Sequence, residues 1–479
     1  MTANSTAAPP DRDPTQIRRV LFSSYLGSVV EFYDFLLYGI AASLVFGQVF
    51  FANLDPVLGT IASFGTLATG YIARPLGGII FGHFGDRVGR KSMLVITMSI
   101  MGFASTLIGL LPTYGQIGVA APILLVCLRI VQGIAVGGEW GGAALMSLEH
   151  STKNRRGFSA SVTNMGGPSG ALLATLVMTA CSTMPEASFM SWGWRIPFLL
   201  SAGLVGLGLM IRLRVHESPV FAAARAAEAE RVANGITIEK PSAPLVEVLR
   251  RYPKNVLLAA FGGAGAFVIQ GLLATFAITL AVGGGADRTV VLLVHGLGSF
   301  LHIFTIPLFA ALSDRVGRRP VMISGALGAA VLAYPIFQML ASGNEKLVLA
   351  AFLLGNPLVQ AAMYGPLAAF ISEMFGTNSR YTGASLGYQL GTTLGAGLAP
   401  LSAATLLAFG GGDPVWVSAM VATICLISAL AIYFTRESYR DDIDLNEGGS
   451  LDGADSDSKT CQSQAGAYEA GVGFRGAGS

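Results

Sequence analysis

The sequence predicts an all-α membrane protein of twelve transmembrane helices, arranged as two related bundles of six. Hydrophobic residues make up 52% of the 479 residues and charged residues only 12%, about half the charged fraction of a soluble domain. Twelve apolar runs reach the roughly 20 residues that a helix needs to span a bilayer. They lie at about 20–48, 57–84, 92–112, 119–147, 158–182, 194–213, 255–282, 289–312, 320–341, 347–373, 382–409 and 415–435.

A charged motif that occurs twice indicates the two halves. The letters Asp-Arg-Val-Gly-Arg stand at 86–90 and again at 314–318, each time between two long apolar runs. The segment from Glu149 to Arg156 is echoed in the same way by the segment from Glu373 to Arg380. Repeated six-helix units are typical of secondary transporters, which bind their substrate near the bilayer midplane between the repeats.

The charge pattern predicts the orientation and the domains. With both termini in the cytoplasm, 25 of the 30 Lys and Arg residues lie in cytoplasmic segments and three in outer loops, as the positive-inside rule requires. The first seventeen residues lack the pattern of a cleaved signal peptide, so we expect a multi-pass protein of the plasma (inner) membrane. The predicted segments are a cytoplasmic tail at 1–18, a bundle at 19–214, a cytoplasmic linker at 215–252, a bundle at 253–437 and a disordered cytoplasmic tail at 438–479.

Five ionisable side chains fall deep inside predicted spans and are the first candidates for function. They are Glu31, Asp34, Arg74, Arg129 and Glu139. A charged residue in a transmembrane helix costs about 2.5–3.5 kcal/mol on insertion scales, so such residues pair with one another or line a wet cavity. Under one interpretation, all five form static ion pairs that hold helices together. Under the other, they bind a substrate or carry a proton.

Helical spacing groups several of these residues on common faces. Glu31, Asp34 and Tyr38 follow the spacing that places them on one face of the first helix, and Arg129 and Gln132 share a face of the fourth. The glycines beside that second face allow close approach of a neighbouring helix backbone. We therefore expect the first and fourth helices to contribute to one polar site.

The helical rise of about 1.5 Å per residue gives the depth of each charge and hence the pairs that can form. Glu31 with Arg74 and Asp34 with Arg129 are the pairs predicted at matching depth. With three acids and two bases, one acid lacks a permanent partner. A carboxyl group of this kind is suited to bind and release a proton.

The two copies of the basic motif are predicted to be tight turns that latch neighbouring helices. An aspartate beside a helix end and arginines on a tight turn can make charge-assisted hydrogen bonds to the next helix. The simpler alternative is that these arginines only mark the cytoplasmic side. The predicted gate residues are Gly85, Asp86, Arg87, Gly89, Arg90, Glu149, Arg156, Asp314, Arg315, Gly317, Arg318, Glu373 and Arg380.

Eight stretches of the sequence are distinctive when taken together. They are Glu31-Phe-Tyr-Asp-Phe35, Arg74-Pro-Leu-Gly-Gly78, Gly82-His-Phe-Gly-Asp-Arg-Val-Gly-Arg-Lys91, Arg129-Ile-Val-Gln-Gly133, Gly137-Gly-Glu-Trp-Gly-Gly142, Trp192-Gly-Trp-Arg-Ile-Pro-Phe198, His216-Glu-Ser-Pro219 and Arg380-Tyr-Thr-Gly-Ala-Ser385. Through these stretches the sequence resembles, over roughly residues 20 to 438, the major facilitator superfamily, and within it the metabolite:proton symporters, which include shikimate, 2-oxoglutarate, citrate and proline/betaine permeases. The second copy of the basic motif departs slightly, because Ser313 stands where the first has Gly85.

The resemblance implies the major facilitator fold and a proton-coupled symport of a small carboxylated metabolite, such as shikimate or another organic acid or zwitterion. Arg74 or Arg129 would hold the carboxylate, and the acids of the first and fourth helices would carry the proton. The residues Arg129 to Gly133 would be the stretch linked to proton coupling. Uncharged side chains that could orient the substrate are Tyr38, Gln270, His302, Asn356, Tyr364, Tyr388 and Gln389.

An uncoupled facilitator or a proton-antiport exporter of the same fold would fit the same helices. An enzyme would need a nucleophile with a base or a metal cluster, whereas the five histidines are scattered and the four cysteines show no paired or metal-type spacing. We expect no metal, no cofactor other than the coupling proton and no nucleic-acid partner. The expected partners are a small molecule and the lipid bilayer, with the monomer as the functional unit.

Overall fold

The computed structural model describes residues 14–88, 90–137, 155–213, 244–376, 380–437 and 439. These residues form helices joined by short connections, and no strand occurs among them. Large apolar side chains such as Phe103, Leu308 and Val331 are exposed on the outside of the molecule. An apolar outer surface of this extent is suited to contact with lipid rather than water.

The long helices of the first half are numbered α1 to α6. Helix α1, Pro14–Ala41, continues through a π-helical turn, Ala42–Phe46, into Gly47–Phe50. Helix α5 is a short segment, Arg156–Asn164, followed after Met165 by a longer one, Gly166–Ser182. The others are α2 at Pro56–Val88, α3 at Arg90–Leu110, α4 at Ala120–Gly137 and α6 at Ile196–Leu213. Short helices at Tyr114–Ile117 and Glu186–Ser191 and a 3-10 turn at Gly193–Arg195 connect them.

The second half contains helices α7 to α12, and three of them carry π-helical turns. Helix α7 consists of Pro253–Gly271, the π turn Leu272–Phe276 and Ala277–Gly283. Helix α10 consists of Glu345–Leu354, the π turn Gly355–Gln360 and Ala361–Glu373, and α11 of Arg380–Thr392, the π turn Thr393–Gly397 and Ala399–Phe409. The others are α8 at Arg288–Val316, α9 at Arg318–Ala341 and α12 at Val415–Tyr433, with a short helix, Pro244–Arg251, before α7.

Ten helices of the described part of the chain are long and apolar enough to cross a membrane. Helix α3, whose apolar stretch is Val95–Leu110, and helix α5 are shorter than this criterion requires. The total of twelve spans therefore stays a prediction. The predicted linker and C-terminal tail lie almost entirely outside the described residues.

Helices α1 to α6 pack mainly on one another, and α7 to α12 do the same. The two groups meet where α5 lies against α8, α2 against α11, and α1 against α7. This arrangement creates the sites described below.

The structure corrects the predicted conformation of the basic motifs. They are predicted as loops, but α2 continues to Val88 and α3 begins at Arg90, and α8 continues to Val316 before α9 begins at Arg318. In the second motif the reversal is confined to Gly317, whose φ angle is 105°. A side chain is strained at such an angle, so glycine permits the chain to turn within one residue.

Candidate functional site

Helices α2 and α4 approach so closely that their backbones touch, and this contact positions Arg74 and Arg129. A Cβ atom at Gly133 would lie 2.0 Å from the carbonyl oxygen of Gly70, and one at Gly137 would lie 1.9 Å from that of Arg74. Only glycine fits at such distances, as in other close helix pairs of membrane proteins. The close approach predicted beside Arg129 is confirmed at Gly133 and Gly137.

Both guanidinium groups lie on the same aromatic ring of α1. The central carbon of Arg74 is 3.8 Å from the ring centroid of Phe35, and that of Arg129 is 3.7 Å from it. Arg74 also lies 4.3 Å from the ring of Tyr71, and Arg129 lies 4.1 Å from that of Tyr38. Cations are attracted to the faces of aromatic rings, more strongly where water is excluded. The rings therefore hold two like charges as close neighbours.

Arg129 is completely buried and is oriented by a chain of hydrogen bonds. Its Nη1 donates to Oε1 of Gln132 at 3.1 Å, and Nε2 of Gln132 donates to the hydroxyl of Ser105 at 2.6 Å. Its Nε and Nη2 have no hydrogen-bond partner among the described residues. Within the described residues, the guanidinium therefore has donors available inside the first helix group.

Asp34 lies beside this chain and is also buried, at 1% exposure. Its polar neighbours are the hydroxyls of Ser105 and Ser201 and the guanidinium of Arg129. Neither carboxylate oxygen forms a hydrogen bond within the described part of the chain. The predicted ion pair of Asp34 with Arg129 is wrong for this conformation, because the aromatic rings and Gln132 hold the guanidinium instead.

The predicted common face of α1 also needs correction. Asp34 faces the interior of the first helix group, and the hydroxyl of Tyr38 donates to Thr66 of α2 at 2.6 Å. Glu31 is within electrostatic range of the phenols of Tyr364 and Tyr388, which belong to the second group. Residues three positions apart on a helix differ by about 60° in direction, which is enough to separate these environments.

Arg74 and Glu31 belong to a cluster at the interface of the two groups. Both lie within electrostatic range of Tyr364 and Tyr388, whose hydroxyls are 3.4 Å apart. The contacts described for Arg74 are the rings of Phe35 and Tyr71, and its Nε has no hydrogen-bond partner among the described residues. The pair of Glu31 with Arg74 stays a prediction.

Two further hydrogen bonds join the groups near this cluster. The side-chain amide of Asn164 in α5 donates to the carbonyl of Tyr364 in α10 at 2.9 Å. The side-chain amide of Gln389 in α11 donates to the carbonyl of Gly137 in α4 at 3.2 Å. Sequence reasoning misses Asn164, because a lone asparagine in a short polar helix gives no signal.

Three of the predicted uncharged residues, Gln270, His302 and Asn356, line one small cavity between the groups. They come from α7, α8 and α10, and their opposite wall is formed by α1 and α5. The remaining predicted residues of this set lie elsewhere, as described above. Tyr364 and Tyr388 form the tyrosine cluster, Gln389 contacts the carbonyl of Gly137, and Tyr38 lies inside the first group.

At one end of the molecule the second basic motif joins the two groups. The two carboxylate oxygens of Asp314, on α8, accept hydrogen bonds from the backbone N–H groups of Gly157 and Phe158, both at 2.9 Å. These N–H groups lie in the first turn of α5, where a helix leaves its amides unpaired and attracts negative charge. We call this contact the Asp314 latch.

The arginine of the same motif holds Asp314 in place. Nη1 of Arg318 lies 2.7 Å from Asp314, and its Nη2 lies 3.2 Å from Glu373 of α10. The carboxylate of Glu437 accepts from the backbone N–H groups of Arg318 and Arg319 at 3.0 and 2.9 Å. Because each charged group of this network has a specific partner, these residues do more than place positive charge on one side of the membrane.

The other predicted gate residues have different positions. Arg156 and Arg380 are buried at the same end, and Arg315 is exposed on the last turn of α8. For Gly85, Asp86, Arg87 and Arg90 the structure describes only a helical backbone, and Gly89, Glu139 and Glu149 lie outside the described residues.

At the opposite end, α1 and α7 meet at their π turns. The hydroxyl of Ser43 donates to the carbonyl of Thr275 at 2.9 Å, and the hydroxyl of Thr279 donates to the carbonyl of Ser43 at 3.2 Å. Farther out, Arg288 at the start of α8 pairs with Glu186 at 2.9 Å. Arg288 and Asp314 lie at the two ends of α8, about 39 Å apart by helical rise. Contacts between the two helix groups therefore occur at both ends of the molecule.

Comparison with known proteins agrees with this architecture. Residues 20–255 match the family model of sugar (and other) transporters, and residues 261–449 match that of the major facilitator superfamily. The shikimate transporter of Escherichia coli is 40% identical over 89% of this chain and 96% of its own length. An inner membrane metabolite transport protein of the same organism is 36% identical over 91% of this chain and 99% of its own.

A solved structure shares the fold. The proton:xylose symporter bound to 6-bromo-6-deoxy-D-glucose superimposes with a TM-score of 0.71 at 18% identity, covering 90% of this chain and 98% of its own. The predicted localisation as a multi-pass protein of the plasma (inner) membrane is confirmed. The chain belongs to the major facilitator superfamily, among its metabolite transporters, and is a transporter rather than an enzyme.

Proposed function

We propose that this protein takes up a small carboxylated metabolite together with protons, by alternating access across the plasma membrane. In this proposal twelve helices span the bilayer, both termini and the Asp314 latch face the cytoplasm, and the monomer is sufficient. The alternative is an uncoupled facilitator or a proton-antiport exporter of the same fold. A relative that is named a shikimate transporter supports a carboxylated substrate.

The observation that carries the proposal is the environment of Asp34. A buried carboxylate without hydrogen bonds is costly in the charged form and is readily neutralised by a proton. The neighbouring Arg129 carries the opposite charge and has two nitrogen atoms without a hydrogen-bond partner among the described residues, so it can bind the carboxylate when the proton leaves. Arg129 would then move from the aromatic rings to Asp34 when the proton leaves, and return when the proton binds. The packing of α1 against α4 would therefore change with the protonation of Asp34.

Arg74 is the better candidate for the substrate carboxylate. It lies at the interface of the two helix groups, whereas Arg129 is enclosed in the first group. Its guanidinium plane can form two parallel hydrogen bonds to a carboxylate. A substrate held there would contact Tyr364 and Tyr388 of the second group as well, and so would influence how the groups pack.

The contacts at the two ends fit alternating access. The Asp314 latch closes one end, and Ser43 with Thr275 and Arg288 with Glu186 close the other. Each set consists of a few hydrogen bonds or ion pairs, so either can open at modest cost. Opening one set while the other stays closed exposes the interface to one side of the membrane at a time.

Energetics sets what coupling can achieve. One proton that moves down 100 mV and one pH unit releases about 2.3 plus 1.4 kcal/mol, enough for roughly 500-fold accumulation of a neutral or zwitterionic substrate. Co-transport with a monoanion cancels the charge, which leaves about 1.4 kcal/mol and about tenfold accumulation per proton. A second proton would restore the contribution of the voltage.

Uptake into proteoliposomes tests the proposal. Labelled shikimate, 2-oxoglutarate, citrate, proline and glycine betaine are each supplied with and without an imposed pH gradient, acidic outside. The proposal predicts that one compound accumulates above its external concentration only when the gradient is present. Equilibration without accumulation would favour the facilitator, and accumulation only with the reversed gradient would favour the antiporter.

A further inference from the structure

A short helix of the second group presents basic side chains on its outer side. This helix, Pro244–Arg251, precedes α7 and packs against α7 and α11. Among its described side chains, Val248 is buried, whereas Leu249, Arg250 and Arg251 are exposed. The helix is therefore amphipathic, with an apolar contact to the protein and charge directed outward.

A contact with the end of α10 shows where this helix lies. The side-chain amide of Asn255, in the first turn of α7, donates to the carbonyl of Met374 at 2.7 Å. Met374 directly follows Glu373, which pairs with Arg318. The short helix thus lies at the same end of the molecule as the Asp314 latch.

The chain bends between the short helix and α7, and packing fixes the bend. Tyr252 has the non-helical angles φ −127° and ψ 37°, and Pro253 then begins α7, a position that proline favours. The ring of Tyr252 is buried and lies edge-to-face against Phe375, with the ring centroids 6.1 Å apart. The neighbouring basic side chains are therefore held on a fixed backbone.

Three exposed cations lie close together at this bend, and we call Arg250, Arg251 and Lys254 the basic cluster. The stretch from Val248 to Leu257 contains no acid. None of the three cations has an ion-pair partner among the described residues. The guanidinium of Arg251 lies 5.7 Å from the ring centroid of Tyr252, a contact that leaves its charge in place. The charge of the basic cluster is thus available to an external anion.

The basic cluster continues an apolar, exposed face of α7. Lys254, Leu257 and Phe261 follow the i, i+3, i+7 spacing of one helix face, and all three are exposed. By helical rise Lys254 lies about 4.5 Å beyond Leu257 and about 10.5 Å beyond Phe261. The apolar side chains of this face contact acyl chains, so Lys254 lies where a lysine extends its charge from the hydrocarbon towards the lipid headgroups.

The two adjoining surfaces select a class of ligand. A ligand that covers both must be anionic at one end and apolar along the rest. An anionic phospholipid has both parts, because its phosphate accepts hydrogen bonds from guanidinium and ammonium groups and its acyl chains cover the apolar face. Basic residues on an amphipathic helix beside a membrane span attract such lipids. A soluble anion would contact the basic cluster alone.

We propose that the basic cluster binds the headgroup of an anionic phospholipid, whose acyl chains lie along the exposed face of α7. In the proposed orientation this lipid belongs to the cytoplasmic leaflet. Because the short helix packs on α7 and α11, a bound lipid attaches the second helix group, rather than the first, to the leaflet. This inference requires neither the proposed substrate nor proton coupling.

Native mass spectrometry of the full-length protein in a non-ionic detergent tests the site. Phosphatidylglycerol and phosphatidylcholine with identical acyl chains are titrated separately, so that the two lipids differ only in the headgroup. We expect phosphatidylglycerol to bind at least about tenfold more tightly. Arg250→Gln, Arg251→Gln and Lys254→Gln should each weaken its binding about fivefold and leave phosphatidylcholine unaffected. Lys254→Arg, which keeps the charge, should bind like the wild type.

Lys346→Gln is the matched control, because it removes an exposed lysine from the first turn of α10, at the opposite end of the molecule. It should bind phosphatidylglycerol like the wild type. Three outcomes would overturn the inference. They are equal binding of the two lipids, glutamine variants of the basic cluster that bind like Lys346→Gln, and displacement of the lipid by inorganic phosphate beyond that by chloride at equal ionic strength, which would show a site for a soluble anion.

Discussion

Phe35 is the residue around which the polar site is organised. Two guanidinium groups contact its ring, and the carboxylate of the preceding residue, Asp34, lies beside one of them. A single cation on an aromatic face gains about 0.5–2 kcal/mol, depending on its desolvation. Such a contact is strong enough to hold Arg129 and weak enough to be exchanged for an ionised carboxylate.

Replacing Asp34 by asparagine should separate coupling from transport. The amide would keep the shape of the side chain and lose the group that binds the proton. For the Asp34→Asn variant we expect gradient-driven accumulation to fall to the equilibrium level, while exchange of labelled for unlabelled substrate stays within about threefold of the wild type, because exchange needs no net proton movement. Both quantities are measured in the same proteoliposomes.

The control for this variant is Glu345→Gln, which removes an exposed acid from the first turn of α10. It should leave accumulation and exchange unchanged. If Asp34→Asn still accumulates substrate against a gradient, Asp34 is not the coupling group. Glu31 would then be the next acid to replace.

At the residue level the sequence identifies the charged residues but not their contacts. Charge inside an apolar run is a local property, so Glu31, Asp34, Arg74 and Arg129 stand out. Whether Arg129 contacts Asp34 or the face of Phe35 depends on side-chain directions and on the rotation of α1 about its axis. Gln360 is not among the predicted residues, because the surroundings of its buried amide are a property of packing that composition does not show.

At the level of elements, the contact of α2 with α4 sets the distance between the two arginines. The approach is possible because glycines lie on both helices where the backbones touch. Any side chain at these positions would push the helices apart and move both guanidinium groups relative to Phe35. The helix pair is therefore a rigid support for the polar site.

Gly133→Ala should destabilise the protein measurably. Its Cβ atom would lie 2.0 Å from a backbone carbonyl oxygen that cannot move independently of α2. Overpacking of this kind costs about 1–3 kcal/mol, so we expect a lower midpoint of thermal unfolding in detergent. Gly65→Ala is the matched control, because a Cβ there meets no atom within 4 Å. Equal midpoints for the two variants would show that the helices can separate without cost.

The Asp314 latch is the element that we expect to close the cytoplasmic end. Asp314→Ala removes the two charge-assisted hydrogen bonds to α5, which together stabilise the closed end by about 2 kcal/mol. The ratio of closed to open molecules should then fall about thirtyfold. Spin labels at Phe158 and Val316, both exposed at this end, report the change as a longer distance between the groups.

Asp413→Ala is the control for this measurement. Asp413 also accepts from a backbone N–H, that of Val415 at 3.0 Å, but it lies in the loop before α12. It should leave the spin-label distances as in the wild type. An unchanged distance distribution in Asp314→Ala would mean that other contacts keep this end closed.

The basic motifs show what sequence patterns reveal about elements. Their repetition and the glycine correctly indicate a sharp reversal that carries partners for Asp314 and Arg318. The pattern predicts a loop because charged and glycine residues interrupt the apolar run. Helix ends with charged side chains carry the same composition, so composition alone does not distinguish a loop from the last turn of a helix.

For the whole molecule, hydropathy, repetition and motif content are sufficient to predict the family and the helical class. They do not predict which helices carry π turns, since no residue type specifies an extra residue in a turn. Nor do they predict that Gln270, His302 and Asn356 meet in one cavity, because these residues are distant in sequence. The packing of the two groups decides both features.

In the proposed symport, substrate and protons move together. Its most direct test records the internal pH of proteoliposomes with a trapped fluorescent indicator while shikimate is added outside, at equal initial pH on both sides. For symport we expect the interior to become acidic at a rate in constant ratio to shikimate uptake, and we expect Asp34→Asn to lose this acidification. Uptake of shikimate without a pH change, or with an alkaline change, would contradict proton symport.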